Sequence, residues 1–150
     1  MQYAIESVSK IKHELEPIIK LHWEQIALNK DKIKLKPDWN QYFAVEKLGM
    51  LKLFTVRDNG ELVGYFCVIM NRGLHYADHV FAACDVIYVK PDKRAGLTGY
   101  RLIKYAENEL KKLGVSVLAI NTKVHMPFDS LMDRMGYSNT ERLYQKYIGE

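Results

Sequence analysis

The chain is poor in the residues that mark specialised protein classes. It has two cysteines and four prolines in 150 residues, too few for a disulfide scaffold or a proline-rich disordered segment. No stretch approaches the ~20 apolar residues of a membrane span, and the N-terminal MQYAIESVSK lacks the apolar core of a signal peptide. Cys67 and Cys84 lie in apolar runs, so we expect buried thiols on neighbouring strands. These features predict a cytoplasmic protein folded as one domain over residues 1–150.

The charge is also weakly biased. The chain carries 22 Lys and Arg against 18 Asp and Glu, a formal net charge of +4, and the basic residues are scattered over polar positions. This pattern does not predict a nucleic-acid-binding arm, although a positive field suits a polyanionic small molecule. The glycines form neither a P-loop nor the three-glycine dinucleotide fingerprint.

The apolar periodicity predicts four helices. From Ser7 to Lys30 the spacing is three and four residues, with Pro17 causing either a kink or a break into two helices. A second helix runs from Pro37 to Leu48, a third from Gly99 to Leu113, and a last one from Phe128 to Met135. The positions on the apolar face of the first helix are Ile11, Leu15, Ile18, His22 and Ile26.

The remaining apolar segments predict strands. They are residues 3–5, 51–57, 61–73, 79–89, 115–122 and 141–148. Asn59 and Gly60 suit a tight turn between the second and third of these, and the almost wholly apolar 79–89 predicts a central strand covered on both faces. The order of elements predicts a mixed α/β fold, an antiparallel meander plus a parallel strand pair with helices on both faces. The last strand would also suit a homodimer interface.

The turn from Ile87 to Tyr100 carries the functional signal. A strand is followed by Pro91, a loop of small residues and a helix, and the free N–H groups at a helix start favour an anion. Gly96 and Gly99 would let a pyrophosphate approach the backbone, with Thr98 adding a hydroxyl donor and Lys93 and Arg94 adding charge. The alternative is that both glycines serve turn geometry and packing alone.

The segment Val89-Lys-Pro91-Asp-Lys-Arg94, before a glycine-containing loop and an amphipathic helix, resembles the acetyl-CoA-binding motif of the GNAT acyltransferase superfamily. His22-Trp23-Glu24 and Leu74-His75-Tyr76 resemble segments of its small phage-type members. The resemblance implies a GNAT-like fold with acetyl-CoA as co-substrate. It places the pantetheine arm beside the main chain of Ile87, Tyr88 and Val89. It assigns the pyrophosphate to the amides of Arg94, Ala95, Gly96, Leu97, Thr98, Gly99 and Tyr100.

The same resemblance suggests two further coenzyme contacts. Asn121 would bond the pantetheine amides, and Phe128 would cover the coenzyme. The alternatives are that Asn121 only ends a strand and that Phe128 packs in the core.

The chain departs from the family pattern at two positions. Leu97 stands where the first loop glycine is usual, with Gly96 one position earlier. Met132 stands where a tyrosine is often the general acid that protonates the departing thiolate. Tyr88, Tyr144 or Tyr147 could replace that tyrosine, although tyrosines on strands mostly serve packing.

Acyl transfer to an amine needs a base, and Asp85 is the first candidate because it interrupts an apolar strand where a carboxyl group is costly to bury. The alternative is a structural Asp paired with a neighbouring Lys, Arg or Tyr. His75 is the second candidate, since imidazole titrates near neutrality, and His79 is a weaker one. The two histidines lack a third ligand nearby, so we expect no metal site.

The resemblance implies that His22, Glu24 and Tyr76 contact the acceptor, although His22 on an apolar stripe also suits a buried core histidine. The expected function is transfer of an acetyl group from acetyl-CoA to an amine by direct attack on the thioester. The amine could be a small molecule or part of a protein. The alternative is a non-catalytic protein that keeps the fold and acts by binding another protein.

Overall fold

A computed structural model describes residues 1–150 and contains one five-stranded sheet in the order β1-β2-β3-β4-β5. The strands are β1 (Gln2–Ile5), β2 (Leu51–Asp58), β3 (Glu61–Gly73), β4 (Tyr76–Val89) and β5 (Val115–Ala119). Neighbours from β1 to β4 are antiparallel, and β5 runs parallel to β4. The predicted mixed sheet, a meander plus a parallel pair, is confirmed.

The helices are α1 (Val8–Ile26), α2 (Trp39–Lys47), α3 (Thr98–Lys112) and α4 (Asp129–Arg134). Pro17 lies inside α1, so this segment is one helix and not two. The carboxylate of Asp38 caps α2 by accepting a hydrogen bond from the N–H of Gln41 at 3.0 Å. A single 3₁₀ turn, Pro91–Lys93, lies between β4 and α3. No helix is both long and apolar enough to cross a membrane.

Helices cover both faces of the sheet, as predicted. The buried face of α1 packs on one face together with part of α2, and α3 packs on the other. The first core contains Val8, Ile11, Leu15, Ile18, Leu51, Leu53, Leu62, Tyr65, Cys67 and Tyr88. The second contains Phe54, Val56, Val63, Phe66, Val68, Ala82, Val89, Leu102, Ala106 and Leu110. Apolar burial on both faces is the main stabilising contribution of this arrangement.

The prediction that β4 is covered on both faces is wrong for part of its length. Its first four residues are exposed, and Ala83 and Asp85 are exposed further along. The helices α1 and α2 cover the middle of the sheet, so the β3–β4 hairpin extends beyond them. Of the two cysteines, Cys67 on β3 is buried and Cys84 on β4 is half-buried, and both are free thiols.

The predicted last strand over residues 141–148 is absent. Residues 137–150 form no helix or strand, and the segment 138–150 is exposed throughout. Its apolar side chains suit a strand, but the segment forms no ladder with the sheet, in which β5 pairs only with β4. The outer edge of β5 is therefore unpaired.

Candidate active site

The two parallel strands separate at the point where the predicted site begins. The ladder between β4 and β5 starts at Val80 and Val115 and ends at the pair Ala83 and Ala119. Beyond it, β4 continues for six residues to Val89 without a neighbour on that side. The result is a cleft with one wall formed by the edge of β4.

Main-chain groups on this edge point into the cleft. The N–H of Lys90 bonds to the carbonyl of Val63 at 2.8 Å, so these two residues are a hydrogen-bonded antiparallel pair. Because such pairs alternate with non-bonded ones, Tyr88 bonds to β3, whereas Ile87 and Val89 direct their N–H and C=O groups away from it. The pairing of Val89 with Gly64 and of Ile87 with Phe66 fits this alternation. An extended chain carrying amides could pair with Ile87 and Val89 as an added strand does.

Asp85 lies at a β-bulge beside the cleft. Cys67 pairs with Val86 and Val68 pairs with Cys84, which leaves Asp85 without a partner on β3. A bulge redirects a side chain locally and is common next to active sites. Asp85 forms no side-chain hydrogen bond or ion pair, so the predicted alternative of a structurally paired Asp does not apply.

The Asp85 carboxyl group is accessible to solvent but surrounded by protein on its inner side. That desolvation raises its pKa, because a buried carboxylate loses hydration. The side chain lies near α2, since burial and the Asp85 charge together raise the pKa of Tyr42 to about 12. A carboxyl group with a raised pKa is closer to the range in which it can act as a general base near neutral pH.

The loop after β4 presents a run of free backbone donors. The N–H of Arg94 bonds to the carbonyl of Pro91 at 3.3 Å, and that of Arg101 bonds to Leu97 at 2.8 Å. The N–H groups between them, from Ala95 to Tyr100, have no acceptor in the chain, and no side chain caps α3. Consecutive free amides at a helix start form an anion site.

Gly96 gives the loop its shape. Its φ is +80°, a left-handed conformation that is costly for residues with a Cβ atom. Gly99 differs, because a Cβ atom added there would meet only Leu131 Cδ2 at 3.8 Å. The turn therefore requires glycine at position 96, whereas position 99 has room for a Cβ atom in ordinary contact with Leu131.

The two cations predicted to supply charge are engaged elsewhere. Lys93 Nζ lies 2.9 Å from Asp58 and 3.8 Å from Asp92. The guanidinium of Arg94 donates to the carbonyl of Val89 at 2.7 Å and to Gln25 Oε1 on α1 at 2.9 Å. The donors that stay free at this loop are therefore the backbone amides and the positive end of the α3 dipole.

A buried polar cluster lies behind the cleft. His22 on α1 is 6% exposed, its Nδ1 lies 2.7 Å from Tyr65 Oη, and its ring stacks on Tyr88 with centroids 4.7 Å apart. Burial lowers the pKa of His22 to about 4, helped by the charges of Arg94 and Lys123, so the imidazole is neutral at physiological pH. Arg94 covers the other part of the cluster, with Cζ 5.2 Å from the Tyr88 ring centroid.

Tyr88 has an unusual place in this cluster. Its side chain is 4% exposed, yet its hydroxyl has no hydrogen-bond partner. An unsatisfied buried hydroxyl costs about 1–3 kcal/mol, so it calls for an explanation. The Tyr88 hydroxyl is thus enclosed behind the cleft and unsatisfied by any group of the chain.

The structure does not bring all predicted residues together. His75 lies in the exposed turn between β3 and β4, about 30 Å along the strand from Asp85 at 3.3 Å per residue. Tyr76 is exposed beside it, and Glu24 is exposed on α1. His79 lies 2.9 Å from Ser116 Oγ on β5. No group of three or more His, Cys, Asp and Glu side chains could hold a metal ion.

The residues predicted on the far side of the cleft are close to it. Asn121 follows β5, and its backbone N–H contacts the Cys84 thiol, a bond that partly offsets the burial that raises the pKa of this cysteine to about 12. Phe128 is half-buried at the start of α4. Met132 is buried, whereas Tyr144 is 84% exposed.

Sequence reasoning missed three residues of the site. Tyr65 bonds His22 from 43 positions away, Tyr42 lies near Asp85 from α2, and Gln25 contacts Arg94 from α1. Tyr65 could have been noticed as a hydroxyl inside an apolar strand, since buried tyrosines need a partner. Nothing local in the sequence indicates the other two contacts.

A family model described as the acetyltransferase (GNAT) family matches residues 15–137. A search of curated proteins finds no significant match.

Solved structures share the fold over nearly the whole chain. A ribosomal-protein-alanine N-acetyltransferase from Brucella melitensis biovar Abortus has a TM-score of 0.74 at 17% identity, covering 99% of this chain and 100% of its own. A predicted acetyltransferase from Clostridium acetobutylicum with acetyl-CoA has a TM-score of 0.73 at 12% identity, covering 98% and 96%. Glucosamine-6-phosphate N-acetyltransferase from Arabidopsis thaliana has a TM-score of 0.73 at 12% identity, covering 99% and 100%.

Proposed function

The chain belongs to the acetyltransferase (GNAT) family, and we propose that it transfers an acetyl group from acetyl-CoA to an amine by direct attack on the thioester. The observation that carries this proposal is the coincidence of three features at one place. The β4–β5 ladder ends after Ala83, the bulge at Asp85 follows, and the free amides from Ala95 onward lie beyond the end of the strand.

The residues present fit the coenzyme. A pyrophosphate needs several donors converging on it, which the free N–H groups of Ala95 to Tyr100 and the positive end of the α3 dipole provide. An arm with two amides needs free main-chain groups in extended geometry, which Ile87 and Val89 provide. The Val89 carbonyl is held by Arg94 in this structure, so we propose that the Arg94 side chain gives way when the arm binds.

Acetyl-CoA supplies the activated acetyl thioester, and the residues of the chain handle the protons. Asp85 is proposed as the base that takes a proton from the ammonium group of the acceptor, so that the resulting neutral amine can attack the carbonyl carbon of the thioester. Its raised pKa suits this role, and general base catalysis typically contributes ~10²- to 10⁴-fold. Its position at the bulge supports the assignment, because the carboxylate is accessible and unpaired.

Tyr88 is proposed as the proton donor in the absence of a tyrosine at position 132. Of the tyrosines considered from sequence, it alone combines burial behind the cleft with a hydroxyl that lacks a partner. Tyr144 is exposed, and Tyr147 bonds only to the carbonyl of Glu150. The neutral His22 stacked on Tyr88 fixes the ring, and we propose this positioning role for His22.

Two of the structural neighbours are named for different acceptors, an alanine of a ribosomal protein and glucosamine 6-phosphate. The fold alone does not choose between such acceptors.

We place the chain with the small phage-type members because of its His22-Trp23-Glu24 and Leu74-His75-Tyr76 segments. The two free thiols suit a reducing compartment, which supports a cytoplasmic location. The unpaired edge of β5 supports a homodimer, which stays a prediction.

Calorimetric titration with acetyl-CoA tests the proposal, with Gly99→Glu as the matched variant. Gly99 has room for a Cβ atom, so a carboxylate there should repel the pyrophosphate without unfolding the chain. Saturable binding by the parent and not by the variant would establish the coenzyme site. Absence of binding by both proteins would contradict the proposal and favour the non-catalytic interaction protein.

Transfer is then measured as release of free thiol in a panel of amines that includes small amines, amino sugars and peptides. Turnover with any acceptor that is lost in Asp85→Asn, with coenzyme affinity unchanged, would support the enzyme. Coenzyme binding without thiol release for any amine of the panel, or thiol release that is unchanged in Asp85→Asn, would contradict the proposed mechanism.

A further inference from the structure

Both tryptophans of the chain line one groove on the outer side of α1. The groove has a volume of about 420 Å³ and lies between α1 and the segment that connects it to α2. Trp23 and Ile19 form the α1 wall, and Leu35, Pro37 and Trp39 form the opposite wall. This volume is within the roughly 300–1,000 Å³ range of sites for small molecules, which are lined mainly by apolar and aromatic side chains.

The charge around the groove is positive. Lys20 and Lys34 stand in its walls, and Lys30 Nζ lies 5.4 Å from the Trp23 ring centroid. None of these three lysines forms an ion pair with a carboxylate, although Lys34 donates to the carbonyl of Lys30 at 2.7 Å. The acidic residue of the wall, Glu16, is paired with Lys12 at 3.5 Å. The groove therefore offers cations that lack anionic partners.

This groove is separate from the cleft between β4 and β5. Trp23 points into the groove, whereas Gln25, two residues later, contacts Arg94 of the coenzyme loop. Two residues span about 200° around a helix of 3.6 residues per turn, so the two sites lie on opposite sides of α1. The coenzyme proposal gives the groove no role.

We propose that this groove binds a small aromatic carboxylic acid. The flat apolar group would lie between Trp23 and Trp39, where burial of apolar area and aromatic contacts are favourable. The carboxylate would face Lys20 and Lys34, with which it forms charge-assisted hydrogen bonds. The unpaired lysines select an anion over a neutral or cationic analogue.

Tryptophan fluorescence tests the proposal directly, because the chain has two tryptophans and both line the groove. The protein is excited at the red edge of the tryptophan band and titrated, without acetyl-CoA, with hydrocinnamate, with its neutral amide and with phenethylamine. Hydrocinnamate should give a saturable change. The amide should bind about tenfold more weakly, because it lacks one charge-assisted interaction with the lysines. Phenethylamine should leave the fluorescence unchanged.

Two charge-reversal variants and a matched control complete the test. Lys20→Glu breaks no contact and should weaken hydrocinnamate binding about tenfold, as should Lys34→Glu. Lys111→Glu, an exposed lysine without an ion pair on α3, should leave binding within about twofold. Far-ultraviolet circular dichroism checks that each variant is folded.

Several results would overturn the proposal. One is no saturable change with hydrocinnamate, and another is equal binding of acid, amide and amine, which would mean a groove without charge selection. Equal losses in Lys20→Glu and Lys111→Glu would mean that only net charge matters. Binding of N-acetyl-Phe-Glu-amide in place of hydrocinnamate would assign the groove to an acidic protein segment. Because acetyl-CoA binding is measured separately, failure here leaves the acetyltransferase proposal untouched, and the reverse also holds.

Discussion

Ala83 on β4 and Ala119 on β5 form the last pair of the parallel ladder, and Asp85 stands only two residues beyond it. The Asp85 side chain thus lies just past the point where β4 stops pairing with β5, at the β-bulge that β4 forms against β3. A carboxyl group in this position is held by the sheet, yet it is free of internal partners.

Replacing Asp85 by Asn keeps the shape of the side chain and removes the base. We expect kcat to fall ~10²-fold or more, while the Kd for acetyl-CoA stays unchanged because the proposed coenzyme contacts lie on the main chain. The parent should also lose activity as the pH falls through the raised pKa of Asp85. Steady-state kinetics across pH measure both effects, and an unaltered kcat in the variant would remove Asp85 from the mechanism.

The two loop glycines should respond differently to alanine. Gly96→Ala forces an L-residue to φ +80°, which costs about 1 kcal/mol and disturbs the run of free amides, so acetyl-CoA should bind several-fold more weakly. Gly99→Ala is the matched control, because its Cβ atom makes only an ordinary contact with Leu131 and affinity should change little. Calorimetry of both variants distinguishes the effect of the loop conformation from the effect of an added methyl group. Equal losses of acetyl-CoA affinity in the two variants would argue against a specific role of Gly96.

Tyr88 and Tyr65 offer a paired test of a buried hydroxyl. Tyr88→Phe removes a group without a partner, so stability without ligand should be unchanged or rise by up to about 1 kcal/mol, whereas kcat should fall. Tyr65→Phe removes the bond to His22 and should cost about 1–2 kcal/mol. Urea unfolding and kinetics of both variants provide the comparison. A destabilised Tyr88→Phe with full kcat would assign Tyr88 to the core alone.

His22 should make the fold sensitive to mild acid. Its pKa is about 4 when folded against 6.5 as the reference value, so between these values the unfolded chain binds more protons. Stability is therefore complete above pH 6.5 and falls as the pH drops through this window, by about 2 kcal/mol at pH 5.

Urea unfolding at a series of pH values measures this slope, and His22→Gln should flatten it. Glu6 and Glu14 also contribute to acid sensitivity, because both have a lowered pKa in the folded chain. Desolvation raises the pKa of Glu6, but its bonds to Arg57 and Thr55 outweigh that effect. The bond to Arg57 lowers the pKa of Glu14. Their contribution appears below the reference pKa of 4.5, outside the upper part of the His22 window. An identical slope in His22→Gln between pH 5 and 6.5 would show that another group is responsible.

Most helices and strands, and the run of free amides after β4, could be predicted because their signals are local. Asn59-Gly60 adopts the positive φ values of a tight turn, and the apolar stripe of α1 is buried as its spacing indicates. Asp85 stood out as one acidic residue in an apolar run. The predicted anion site depended on Pro91, on small residues and on a helix start, all within a dozen positions.

The remaining features depend on contacts between distant segments. The bulge at Asp85 arises from the register of β4 against β3, which no single strand specifies. Arg94 was expected to face an anion, but Val89 and Gln25 hold its side chain. The segment 141–148 has the composition of a strand but pairs with no edge of the sheet, and β-propensity reflects fit to neighbours more than a backbone preference.

The unpaired outer edge of β5 has a mechanical consequence for the cleft. This strand is five residues long, and its ladder with β4 covers only Val115 to Ala119. One wall of the cleft is therefore a short edge strand that is hydrogen-bonded on one side only. A strand that paired with its free edge would make this wall more rigid and fix the width of the cleft. Whatever binds along Val117, which is 47% exposed, would set the gap without touching either the loop or Asp85.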